Sequence, residues 1–160
     1  MPVDPGVAGM SSIFETSFDF RFRKRPYSAD LRSDWRISAV LLALAKCRMR
    51  RASVTQLHAL VWAMLADGHG AQMAASLSGD STEPVPIRFD PAVARAIDLA
   101  VGLGLLARDG KRIRFEPDGE VWWQSLVSDP SLMSQEKAIL DNLGTVSMVD
   151  IERAVGVGRS

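Results

Sequence analysis

Few residues in this 160-residue chain have the type and spacing that covalent chemistry needs. The two histidines, His58 and His69, have no Cys, Asp or Glu at a recognisable metal-ligand spacing. His58 falls inside a helical pattern, where a partly buried, hydrogen-bonded imidazole is the ordinary case. Cys47 lies beside Lys46 and Arg48, which could acidify its thiol somewhat, but a small residue packed against a neighbouring helix explains it far better. Gly102-Leu103-Gly104 sits late in a helix rather than between a strand and a helix, so it lacks phosphate-cradling geometry. No catalytic residue, metal site or cofactor is assigned, and the expectation is a non-enzyme.

What the chain offers instead is cations and indoles. Arg108, Lys111, Arg112 and Arg114 cluster around a turn and form a candidate phosphate-contacting set, which Arg21, Arg23, Lys24 and Arg25 could extend. Trp122 and Trp123 are adjacent on a short helix and therefore about 100° apart. They are candidate partner-binding anchors, because tryptophan concentrates binding energy at interfaces; the alternative is two half-buried lids on the core.

The elements that must position these groups follow from pattern. Asp90 can cap and Pro91 can open a helix in which Val93, Ile97, Ala100, Leu103 and Leu106 recur at helical spacing. Arg108-Asp109-Gly110-Lys111 reads as a hairpin turn, with Asp-Gly supplying positive backbone angles, and Ile113-Arg114-Phe115 returns as a strand. Glu116 to Gly119 then breaks the chain before a helix over Glu120 to Val127. Upstream, Ser33 can cap a helix to about Arg48, and Ser53 with Gln56 stands at capping-box spacing before Leu57, Leu60, Val61, Met64 and Leu65. Gly70 to Pro86 reads as a long connection with a short helix at Ala71 to Leu77, and Ile87 to Phe89 as a short strand pairing with the hairpin. Asp129 and Pro130 open a helix through Leu140, and Ser147 caps a last one over Met148 to Val155.

The fold class expected is α+β and mainly helical: a winged helix-turn-helix with a small β-hairpin wing and additional C-terminal helices. Residues 1–12 form a flexible N-terminus, 13–128 a winged-helix domain with an N-terminal strand in which Phe18, Phe20 and Phe22 alternate with charges, and 129–160 a C-terminal helical extension. The helix before the wing offers mainly Ala92, Arg95, Asp98 and Gly102 on its outer side, too few donors to read base edges.

Charge is balanced overall at 19 basic against 19 acidic residues, but unevenly distributed. From Arg21 to Arg51 ten basic residues face two acids, and from Glu116 to Glu152 eight acids face Lys137 alone. Such a chain either holds nucleic acid on one side and a basic partner on the other, or pairs its own ends. With 47% hydrophobic residues there is enough apolar material for a core. No apolar run suits a bilayer, the start has no secretory pattern, and one cysteine permits no internal disulfide, so a cytoplasmic location is expected.

From about Trp35 to Val155 the layout resembles the winged-helix middle component of ABC-three-component, Lamassu-like defence systems. The likeness rests on Asp34-Trp35-Arg36-Ile37, Gln56-Leu57-His58-Ala59-Leu60, and Ala96-Ile97-Asp98-Leu99-Ala100 with Gly104-Leu105-Leu106. The hairpin and the closing pair of helices from Glu136-Lys137 to Arg153 complete it. The resemblance implies a non-catalytic adaptor subunit that bridges an SMC/Rad50-like ATPase and an effector in a bacterial antiphage complex. Contact with double-stranded DNA, where it occurs, would be nonspecific, and no membrane is involved. The alternative is a winged-helix DNA-binding transcription regulator.

Overall fold

The computed structural model describes residues 33–156, which form a mainly helical unit with one small antiparallel sheet. Its axis is α1 (Ser33–Lys46), whose residues Ile37 to Leu44 are all buried. A helix apolar all round must be covered all round. α1 accordingly packs against α2 (Val54–Leu65), α4 (Pro91–Gly102), α5 (Pro117–Ser128) and α6 (Ser134–Leu143).

After α1 a tight turn at Arg48–Arg50 leads into β1 (Arg51–Ser53). Ser53 then starts α2 through a capping box, its hydroxyl accepting from Gln56 N–H at 3.1 Å while the Gln56 side chain accepts from Ser53 N–H at 2.9 Å. Gly68, at φ 86°, begins α3 (His69–Ser78) after only a short break, and Gly79 ends it at φ 83°. The expected short helix at Ala71 to Leu77 is therefore present and longer. Residues 79–90 form an irregular connection, held where Val85 N–H donates to Ala154 O at 2.8 Å.

α4 begins with Asp90 Oδ1 accepting from Ala92 N–H at 2.8 Å and Pro91 in its first turn. It leads into the hairpin of β2 (Leu106–Asp109) and β3 (Arg112–Phe115). The sheet order is β1-β3-β2, with Arg51 opposite Arg114, Ala52 opposite Ile113, and Leu106 opposite Phe115. Ala52, Leu106, Ile113 and Phe115 turn inward onto the core. α5, α6 and α7 (Met148–Val155) complete the chain, and α3 is the seat for α6 and α7. Leu140, Val146, Ile151 and Ala154 belong to the same buried cluster as α1 and α2.

Five sequence expectations need correction. The strand beside the hairpin is Arg51–Ser53, not Ile87 to Phe89, because the turn after α1 delivers residue 51 to the free edge of β3. Leu103 is not core: α4 ends at Gly102, Leu103 is its C-cap and is 55% exposed, and Leu106 already belongs to β2. In the hairpin only Gly110 has a positive φ, 61°, while Asp109 is paired with Arg112 inside the ladder; glycine first of two loop residues is the II′ pattern. Pro117 does not delay α5 but opens it, since its fixed φ suits a first helical turn. Asp129 and Pro130 do not start α6: Asp129 Oδ1 accepts from Ser131 N–H at 3.0 Å, making a turn of its own, and the helix begins at Ser134. The last helix is as expected, capped by Ser147 and closed at Gly156. Residues 1–12 and the Phe18, Phe20, Phe22 strand lie outside the described residues.

Candidate functional site

The hairpin carries Arg108, Lys111, Arg112 and Arg114, but the register divides them: Arg112 and Arg114 share the outer face, whereas Arg108 stands opposite the inward-facing Ile113 on the other face, and β1 adds Arg51 to the outer one. Arg51 and Arg114 sit opposite each other on the outer face of the sheet, next to the row in which Ser53, Arg112 and Asp109 align. Like charges in directly opposed positions repel. Acids relieve part of this: Arg51 pairs with Asp109 at 3.4 Å, Arg114 with Glu116 at 2.7 Å, and Arg108 with Asp98 on α4 at 2.5 Å. Exposed pairs of this kind hold each other weakly, each contributing about 0–1 kcal/mol. Arg48, Lys111 and Arg112 have no ion pair among the described residues. Arg21, Arg23, Lys24 and Arg25 lie outside the described residues.

The charge asymmetry is thus partly cancelled inside the molecule. Lys46 meets Asp141 at 2.5 Å and Arg50 meets Glu120 at 3.6 Å, joining the basic N-terminal half to the acidic C-terminal half.

Both tryptophans are half-buried and have internal partners. Trp122 donates its indole N–H to Ser38 Oγ in α1 at 3.1 Å. Trp123 lies 6.2 Å from the Phe115 ring, and the Arg50 guanidinium stands 4.3 Å over its face. That guanidinium is placed by a backbone feature the sequence does not advertise: Met49 and Arg50 are consecutive non-glycine residues in the left-handed region, at φ 59° and 53°. Neighbouring Met49 is left 80% exposed.

The outer side of α4 carries what sequence reasoning missed. Arg95, Leu99 and Leu103 follow one another at four-residue steps, so they line one row of the helix surface. Leu99 is 44% exposed, and Leu103 continues the apolar row past it. Beside this row a cleft of about 480 Å3 opens between the start of α1 and α4, lined by Arg36, Ala92, Arg95, Asp98 and Leu99 among others. The Arg36 Nε–H is buried there without an acceptor among the described residues. The signal was present in the sequence as Leu99 and Leu103 at helical spacing, but only the position of α1 decides which apolar row it covers.

The groups considered for chemistry are otherwise occupied. Cys47 is buried, its thiol donates to Ala43 O at 3.4 Å, and burial pushes its pKa up to about 12, the reverse of activation. His69 stacks on Trp62 at 3.9 Å and its Nδ1 lies 2.8 Å from Trp62 O. Burial pulls the His58 pKa down, opposed in part by the Asp90 carboxylate. Among the described residues there is no group of three or more His, Cys, Asp or Glu side chains placed to hold a metal, and no helix long and apolar enough to cross a membrane. No protein-family model, no curated protein and no solved structure matches the chain.

Proposed function

We propose that this chain is a non-catalytic winged-helix adaptor that docks a larger protein through the outer row of α4 and touches DNA, nonspecifically, through its hairpin. The winged-helix reading draws support from the order helix, strand, helix, and later helix, strand, strand, closed into a sheet with β3 in the centre. α3 and the irregular residues after it would then be an insertion that seats the C-terminal helices.

The observation that carries the docking reading is the exposed row of Arg95, Leu99 and Leu103. On a DNA reader the helix before the wing points Arg, Lys, Asn or Gln at base edges. Here it presents two leucines, and Asp98 nearby is engaged with Arg108. Apolar side chains on a rim of charge suit a protein surface. The resemblance to middle components of ABC-three-component systems makes the partner an SMC/Rad50-like ATPase, with an effector subunit on the other side, in the cytoplasm. The free cations Lys111 and Arg112 favour phosphate contact by the hairpin tip.

Co-expression with the neighbouring ATPase, followed by size-exclusion chromatography, tests the docking row. Leu99→Asp with Leu103→Asp changes exposed positions, so the melting temperature should stay close to wild type while the complex is lost. An intact complex would refute the docking row. In parallel, Lys111→Ala with Arg112→Ala should reduce the salt dependence of binding to random duplex by about two phosphate contacts. Tight, operator-selective binding by the isolated chain would instead establish a transcription regulator.

A further inference from the structure

We infer that the cavity beside His58 and Phe89 binds a small, neutral, planar aromatic molecule whose carbonyl oxygen accepts a hydrogen bond from the His58 imidazole. The inference goes beyond the adaptor reading and does not rest on it. The cavity measures about 320 Å3, within the range of small-molecule sites. α2 supplies Val54, Thr55 and His58 to its wall, the irregular segment before α4 supplies Ile87 and Phe89, and the end of α7 supplies Val155.

Two independent observations point to a ligand. The first is an unanswered donor. His58 is only 6% exposed, and its Nδ1 faces the Asp90 N–H at 3.5 Å, an arrangement that favours the tautomer with its proton on Nε2. That Nε2 is buried and has no partner among the described residues. A buried N–H without an acceptor is a standing cost, which a ligand oxygen would remove.

The second is an aromatic ring with little to hold it in place. Phe89 stacks on the imidazole, centroids 4.8 Å apart and planes 28° from parallel, yet it is 69% exposed. Being so exposed, it can shift at little cost in burial, and it offers an incoming ring a partner to stack on. The ligand is neutral because the walls are mostly apolar and the Asp90 carboxylate is close by, so an anion would lose its hydration and meet a like charge.

The test titrates the full chain with acetophenone and with ethylbenzene, which keeps the phenyl ring but lacks the carbonyl oxygen. The imidazole nitrogen resonances are followed by NMR with His69 as the internal reference. Acetophenone should shift the His58 Nε2 signal saturably and bind about tenfold more tightly than ethylbenzene. Phe89→Ala, an exposed substitution that should leave thermal unfolding near wild type, should weaken acetophenone severalfold. No saturable shift at His58, equal affinity for both probes, or undiminished binding to a folded Phe89→Ala chain would each overturn the assignment.

Discussion

Replacing Gly119 with alanine tests the joint on which the hairpin is hung. Gly119 is buried in the first turn of α5, and a Cβ added there would overlap the backbone carbonyl of Leu105, the residue before β2. That carbonyl cannot easily retreat. It accepts from Glu116 N–H at 3.0 Å, at the start of α5, and Leu105 N–H in turn donates to Ala100 O at 2.9 Å, at the end of α4. Relief therefore requires α5, β2 and the end of α4 to move together. Overpacking against a rigid neighbour costs about 1–3 kcal/mol, sometimes more, and the gain of alanine over glycine in a helix returns only about 0.5–1 kcal/mol. A net loss of about 1–2 kcal/mol is expected, which lowers the melting temperature by about 2–8 °C for a chain of this size. Gly102→Ala is the matched control, because a Cβ at Gly102 meets nothing within 4 Å at the end of α4; it should be neutral or stabilising by up to about 1 kcal/mol. Thermal unfolding followed by circular dichroism reads both. If Gly119→Ala melts at or above wild type while Gly102→Ala behaves as described, the close approach of α5 to Leu105 is wrong.

Trp122→Phe keeps a ring but removes the indole N–H from the buried Ser38 hydroxyl, and should destabilise by about 1–2 kcal/mol in denaturant titration without weakening any complex; weakened binding with unchanged stability would make Trp122 a partner anchor instead. Cys47, with its thiol buried and its pKa raised to about 12, should resist alkylation at pH 8 in the native protein and react only on unfolding. Rapid native labelling by a thiol reagent would contradict its burial. His58 has its pKa lowered by burial, so folding favours the neutral ring: this contribution to stability is full above the ordinary histidine value near 6.5 and is lost as pH falls through the lower folded value. Unfolding free energy measured from pH 7.5 downward should decline less steeply in His58→Gln than in wild type, and identical slopes would show that His58 does not titrate differently on folding.

Local chemistry made much of this molecule legible from sequence. The caps at Ser53, Asp90 and Ser147, the glycine at 110 and the apolar periodicity of α2 act over a few residues, so their partners are already fixed by spacing. The cationic hairpin could be read for the same reason, since β2 and β3 are neighbours in the chain and their register follows from the turn. Tertiary packing decided the rest. Three residues of β1 carry no usable alternation, and they become a strand only because the turn at Arg48–Arg50 lays them along β3. Whether Leu99 and Leu103 are core or surface depends on where α1 lies against α4, and the exposed side of Phe89 and the solitary Nε2 of His58 depend on the path of residues 79–90 across α2 and α7. Burial is a relation between distant segments, whereas a cap or a tight turn is a relation between near neighbours; the sequence alone determines the second kind, and only the folded chain supplies the first.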